Sequence, residues 1–197
     1  MDTEGFVDTQ GAGTLRHRIE AAQYEVLRDR MRGFDQLGAM FRDGTFPRAP
    51  LDGETRGQMI AADVAPLVTN PFVRLLTSTK PWLGKVFDAD HERGENLLTP
   101  GFVRVARVMF PGYRRFRPAG DHAFSGLGFR TYPGDGLQDP DRRVLKIDYD
   151  IPENPPLIRR ILDELVQIDD NYYLGKAHVR LSVSRWHLLF IFALQRR

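Results

Sequence analysis

The chain has 197 residues, is 42% hydrophobic and 11% aromatic, and carries a formal net charge of +2. That is enough apolar material for one packed core, and the near-neutral balance excludes the strongly basic signature of a general nucleic-acid binder. There is no cysteine, so disulfides, thiolate nucleophiles and cysteine-held metals are excluded, and a cytoplasmic setting is expected.

The N-terminus is polar and lacks the apolar core of a signal peptide, and no apolar run reaches the roughly 20 residues of a membrane helix. Residues 1–13 read as a loose arm. From Leu15 to Phe41 apolar residues recur at three- to five-residue steps, including Ile19, Ala22, Val26, Phe34 and Leu37, as on one stripe of a helix. Thr14 suits its cap and Gly33 a bend or split. Asp43-Gly44 stops it. Residues 55–79 read as a second helical region with Met59, Ile60, Val64, Leu67 and Val68 buried, interrupted at Asn70-Pro71, with a short helical turn over 72–76.

The texture changes at Trp82. Residues 82–88 have a strand's composition, 88–95 form a charged loop, and 102–110 fit neither strand nor helix cleanly. Residues 122–132 read as a strand, with Gly126 and Gly128 on one face. Residues 143–151 follow as another, with Leu145, Ile147, Tyr149 and Ile151 facing one way and Lys146, Asp148 and Asp150 the other. Asn154 and Pro155 then open an expected helix over 155–168, with Leu157, Ile161 and Leu165 on its apolar face and Asp163 and Glu164 on its wet one. Two strands, 172–182 and 186–194, close the chain as a hairpin.

Four groups of residues bear on chemistry. On strand 172–182, Lys176, His178 and Arg180 share a face that either meets water or lies covered against acids such as Asp148, Asp150, Asp169 or Asp170, since unpaired buried charge is expensive. Between Arg104 and Arg117, five arginines alternate with aromatics without one acid. This is a solvated segment or the anchor of an anionic ligand, because the guanidinium fork binds carboxylate and phosphate bidentately. Asp88-Ala-Asp-His-Glu92 matches no metal-binding spacing and reads as an exposed turn, so no metal and no cofactor are expected. Finally, Trp82-Leu-Gly-Lys85 echoes Tyr173-Leu-Gly-Lys176. Either an aromatic ring packs over a glycine twice, or two lysines flank one pocket.

These residues resemble small lipocalin-like (calycin) β-barrels. The likeness runs over about residues 80–195: the early Trp82-Leu-Gly-Lys85 strand, hairpins, Lys146-Ile-Asp-Tyr149, a short helix, Tyr173-Leu-Gly-Lys176 and a closing aromatic strand. It implies a barrel that holds an apolar molecule, in a family that is mainly non-enzymatic. The chain departs from the lipocalin pattern in placing tryptophan before glycine and in the helix ahead of the last strands.

The expected fold is α+β: an antiparallel β-barrel-like sheet with N-terminal helices and one helix inserted before the last two strands. Residues 1–79 form a helical segment packed on the barrel, and 80–197 form the barrel domain. The expected function is binding of a small hydrophobic or amphipathic molecule, its carboxylate or phosphate end met by Arg or Lys. The candidate ligand-binding residues are Trp82, Lys85, Arg104, Phe129, Arg130, Tyr173, Arg180, Trp186, Phe190 and Phe192. One alternative is a cofactor-independent isomerase or cyclase acting on an apolar metabolite, with Tyr149, Asp148, Lys176 and His178 as acid–base candidates. Another is an interaction module whose N-terminal helix pairs with a second chain, a homodimer included. No nucleic-acid or membrane partner is expected.

Overall fold

The computed structural model describes residues 9–63 and 82–197. Two helices lead, α1 (Thr9–Arg28) and α2 (Arg30–Asp43). The helical run divides at Asp29, not at Gly33. Asp29 has extended backbone, and its carboxylate accepts from the Arg32 amide at 3.2 Å, satisfying a donor that the start of α2 leaves free. Helix α1 begins at Thr9, ahead of Thr14. Gly33 serves the packing of the helix pair instead: a Cβ there would stand 2.4 Å from the Val26 backbone nitrogen.

The strands are β1 (Gly53–Ala62), β2 (Trp82–Asp88), β3 (Arg93–Leu98), β4 (Arg117–Pro118), β5 (Phe124–Asp135), β6 (Arg143–Asp148), β7 (Ile161–Asp169), β8 (Tyr172–Arg180) and β9 (Trp186–Arg196). They pair antiparallel in the order β3-β2-β1-β9-β8-β7-β6-β5, and β3 returns to pair with β5. Eight strands thus close a barrel and leave no free sheet edge, while the two-residue β4 pairs alongside the start of β5. The α+β class and the barrel with leading helices are as the sequence suggests.

Two expected helices are corrected. Residues 53–62 form β1, a stave between β2 and β9, so the barrel begins well before residue 80. Gly53 and Gly57 are poor helix formers, and two flanking strands offer β1 a full ladder on each side. Val64, Leu67, Val68, Asn70-Pro71 and the turn over 72–76 lie outside the described residues. Residues 155–168 are not a helix either. A short 3-10 turn, Ile158–Arg160, leads directly into β7. The apolar spacing of 157–165 fits both periods, and ladders to β6 and β8 decide for the strand. The helix inserted in the barrel sequence is instead α3 (Pro100–Met109), between β3 and β4. Thr99 caps it by accepting from the Phe102 amide at 3.3 Å, and Pro100 occupies its first turn.

Two apolar clusters result, on opposite faces of the same staves. The inner one fills the barrel with Phe87, Phe129, Tyr149, Leu165, Tyr173, Phe190 and Phe192, among others. The outer one joins Ile19, Ala22, Leu37 and Phe41 of α1 and α2 to Ile60, Val144, Val166, Leu174 and Ile191. Strands such as β7 and β8 are therefore buried on both faces. In β8, Tyr173 and Ala177 point inward, while Leu174, Lys176 and His178 point outward. A bulge between Ala177 and His178, opposite Leu189, shifts the register against β9 and puts both Leu189 and Phe190 in the inner cluster.

Gly84 has φ +149°, and a Cβ on it would press against the Thr55 carbonyl oxygen, so β2 crosses β1 more closely than any side chain allows. The repeated Gly-Lys pairs do not place an aromatic over the glycine of their own strand. Trp82 lies over Gly57 of β1, and Phe192 of β9 lies over Gly175. Each ring comes from a neighbouring stave.

Candidate functional site

The start of β2, the ends of β3 and β6, and the start of β7 all lie at one end of the antiparallel barrel, where α3 and the 149–160 connection follow β3 and β6. Inside that end is a cavity of about 100 Å³. Its walls come from nearly every stave. Met59, Leu98, Leu127, Ile161, Phe190 and Phe192 are apolar, Phe102 reaches in from α3, and Ile158 reaches in from the 3-10 turn. Four polar side chains share the wall: Lys85, Asn96, Tyr149 and Asp163. Each sits on an inward position of its strand or directly after it, and each is almost fully buried.

The four form one network. Lys85 Nζ donates to Asp163 Oδ2 at 2.9 Å and to Asn96 Oδ1 at 3.1 Å, and it also contacts the Tyr149 hydroxyl. An ammonium has three donors, and here each has an oxygen acceptor. The Tyr149 hydroxyl reaches Asn96 Oδ1 at 3.1 Å and Asp163 Oδ2 at 3.2 Å. Trp82 Nε1 donates to the same Asn96 oxygen at 3.1 Å. Asn96 Nδ2 donates to the Leu127 carbonyl at 2.9 Å, which fixes the amide orientation. Leu127 has φ +52°, unusual for a branched residue, and its amide donates to the Tyr113 hydroxyl at 2.6 Å. This strained peptide aims its carbonyl at Asn96, and Tyr113 holds it there.

Rings surround the lysine. Its nitrogen lies 5.0 Å from the centroids of Phe129 and Tyr149, 5.5 Å from that of Trp82 and 5.6 Å from that of Phe192. These are cation–π distances in a dry setting, where the attraction is strongest. Burial pushes the Lys85 ammonium below its usual range, and the Asp163 charge opposes that. Burial pushes the Asp163 carboxyl up against the opposing pull of Lys85 and Tyr149. Burial also lifts Tyr149 well above the ordinary phenol value, reinforced by the Asp163 charge. The phenol therefore keeps its proton at neutral pH. The cavity presents a phenol and an amine–carboxyl pair, within bonding distance of one another, beside an apolar space.

The expected ligand-binding residues divide. Trp82, Lys85, Phe190 and Phe192 line the cavity. Phe129 and Tyr173 are buried in the inner cluster, with Phe129 packed edge-on to Tyr149 at 5.6 Å. Arg104 is exposed on α3. Arg130 is on the outer face and donates to Asp148 at 2.8 Å. Arg180 and Trp186 face each other across β8 and β9 at the barrel rim, with the guanidinium 5.8 Å from the indole.

Of the four acid–base candidates, only Tyr149 lines the cavity. Asp148, Lys176 and His178 stand on the outer face. Asp148 accepts from Arg130, from the Tyr132 hydroxyl and from the Asp150 amide. Lys176 donates to Asp139 at 2.6 Å and lies 4.4 Å from the Phe41 ring. His178 is fully buried, and neither ring nitrogen has a hydrogen-bond partner among the described residues. Burial, then the charges of Lys176 and Lys146, lower its imidazole to about 3. It is a neutral ring.

Asn96 and Asp163 were not legible as site residues. Asp163 was hidden by the helical reading of 155–168, which puts it on a wet face. The available signal was the strict alternation Leu162, Glu164, Val166, Ile168, which leaves Asp163 inward with Ile161 and Leu165. Asn96 carried no signal in its own neighbourhood. The arginine segment is spent in part on surface pairs, Arg117 with Glu95 at 2.5 Å and Arg115 with Glu153 at 3.8 Å. In Asp88–Glu92, His91 and Arg93 pair with Asp88, and among the described residues no three acid, histidine or cysteine side chains converge as a metal site.

No protein-family model matches the sequence, and no curated protein matches it. A solved structure is similar, a crystal structure of a protein from Thermomonospora curvata, with 15% identity, a TM-score of 0.48, and 90% of this chain and 99% of that chain covered. Among the described residues no helix is long and apolar enough to cross a membrane.

Proposed function

We propose that the barrel binds a small apolar molecule bearing a neutral oxygen function, held against Lys85, Asn96, Tyr149 and Asp163. The observation that carries this reading is the cavity itself: apolar on most of its wall, with one compact group of buried donors and acceptors on the rest. The closed eight-stranded antiparallel barrel is the architecture that the lipocalin-like resemblance implies, and it suits one enclosed ligand.

Charge counting sharpens the ligand class. Among the described residues Lys85 is the one cation on the cavity wall, and Asp163 already pairs with it at 2.9 Å. A carboxylate or phosphate entering there would add a second negative charge beside Asp163 in a dry site, which is costly. A ketone, aldehyde or alcohol adds none. The anionic end expected from the arginines has no counterpart in the cavity, because Arg104, Arg130 and Arg180 all lie outside it.

Paired panels of equal chain length test this: 2-octanone and 1-octanol against octanoate, read by native mass spectrometry and calorimetry. The neutral ligands are expected to bind more tightly. Equal or tighter octanoate binding overturns the neutral-end reading, and no binding by any member overturns the pocket reading.

A second reading is turnover of such a ligand as an isomerase or cyclase in the same pocket. It rests on the approach of the Tyr149 hydroxyl and the Asp163 carboxyl at 3.2 Å, a proton donor and acceptor within reach of one bound oxygen. In this version the acid–base pair is Tyr149 and Asp163 with Lys85. Recovery of every bound ligand unchanged after prolonged incubation defeats it.

A further inference from the structure

We propose that Lys85 is a covalent capture site, holding a small apolar aldehyde or ketone as a protonated imine with Asp163 as its counter-ion. This rests on the pocket reading above and adds a bond to it.

The geometry points there in three ways. First, the amine is on the cavity wall, and among the described residues it is the one amine there. Second, its surroundings match the product as well as the reactant. An iminium nitrogen carries one positive charge, as the ammonium does, so the carboxylate at 2.9 Å and the four rings at 5.0–5.6 Å stay matched. Third, proton carriers stand beside the reacting atoms. Tyr149 contacts Lys85 and lies 3.2 Å from Asp163, so its hydroxyl bridges nitrogen and carboxyl. The burial that makes the Lys85 ammonium a readier proton donor and the Asp163 carboxylate a better acceptor makes the first proton transfer accessible.

The step balances without any co-reactant. Asp163 takes one ammonium proton, and the freed lone pair attacks the carbonyl carbon. The carbonyl π pair moves to oxygen, which receives that proton through the Tyr149 hydroxyl. Asp163 then removes a second proton from nitrogen and delivers it to the carbinolamine hydroxyl, which leaves as water while the nitrogen lone pair closes the C=N bond. Two of the three ammonium protons depart in the water, the third stays on the iminium, and Asp163 ends as the carboxylate it began as.

The lysine count makes the experiment clean. The sequence has four lysines: Lys80, Lys85, Lys146 and Lys176. Lys146 and Lys176 are buried on the outer face against Glu164 and Asp139. The intact protein is incubated with hexanal and sodium cyanoborohydride, then weighed whole and mapped by digestion. One reduced adduct per chain, on Lys85 and suppressed by excess 1-hexanol, is the expected result. Cinnamaldehyde without reductant should show the red-shifted absorbance of a protonated conjugated imine. Lys85→Arg keeps the cation and should lose the adduct. Mapping of the unaltered protein decides the matter even if that variant does not fold. Adducts scattered over the other amines, or a hexanal complex in native mass spectrometry with no covalent product, overturn the imine and leave the pocket reading intact. Neither complex nor adduct, with 1-hexanol also unbound, overturns both.

Discussion

Asp163 and Glu164 are consecutive residues of β7, and each is buried against a lysine, yet they belong to different regions. Asp163 points into the barrel, where it meets Lys85 at 2.9 Å beside an open cavity. Glu164 points outward, where Lys146 at 2.5 Å and the Leu137 amide at 2.6 Å both donate to it. In register, Lys146, Glu164 and Lys176 form one row across β6, β7 and β8. Lys176 continues the row to Asp139, so the outer ion pairs fasten the 136–142 loop and, through Arg42 at 3.6 Å from Asp139, helix α2 to the barrel wall. The same chemistry is structural on one face and available to a ligand on the other. What separates them is free volume beside the pair.

The largest effect should come from breaking either pair on one side only. Asp163→Leu and Glu164→Leu each strand a buried lysine, and each should cost about 3–5 kcal/mol in urea unfolding. Adding Lys85→Met to the first and Lys146→Met to the second should restore most of the loss. The two repaired proteins then diverge. The outer one should keep ligand binding and the inner one should lose it, and equal binding in both would mean that the two pairs play the same structural role.

Next in size is a pH effect confined to the outer face. His178 is buried neutral, with Lys176, Lys146 and Asp139 as its charged neighbours and a pKa lowered to about 3. The unfolded chain takes up that proton near 6.5, so it binds more protons than the folded one at every pH between the two values. Stability is therefore intact above about pH 6.5 and is lost as pH falls from there toward 3. At about 1.4 kcal/mol per pH unit, the loss amounts to at most about 5 kcal/mol. Denaturation across this range should show a slope of one proton, and His178→Leu should flatten it. An unchanged slope in that variant would assign the acid sensitivity to other groups.

A smaller effect sharpens the inner face. Ala177 lines the cavity, so Ala177→Leu fills space that is already empty. Stability should change by less than about 1.5 kcal/mol, while hexanol binding and adduct formation both fall. The smallest effect is expected at the cap over this end of the barrel. Thr99→Ala removes the bond to the Phe102 amide and should cost about 1 kcal/mol, with faster hydrogen exchange confined to α3.

The strands β2, β5, β6, β8 and β9 were all located from their own residues, β6 and β8 by alternation and β2 by composition. So was the leading helical stretch, and of the candidate residues Trp82, Lys85, Tyr149, Phe190 and Phe192 line the cavity. The acid–base set was harder to read because Lys176 and His178 alternate with Tyr173 and Ala177, and the sequence does not say which set faces in. Asp163 was missed for a different reason. A run such as Ile-Leu-Asp-Glu-Leu-Val satisfies a helical and an extended pattern at once, and the choice moves every polar residue to a new face.

By itself, then, the sequence determined much of the local periodicity and several turns, because these depend on neighbours within four residues. It determined, too, that the chemistry is free of thiols and short of amines. Only the tertiary structure decided which face of each strand is inside, that β1 and β7 are strands at all, and that Lys85, Asn96, Tyr149 and Asp163 meet. Those outcomes depend on ladders and an ion pair between residues far apart in the chain, Thr55 with Arg196 and Lys85 with Asp163 among them, whose energies exist only once the barrel has closed.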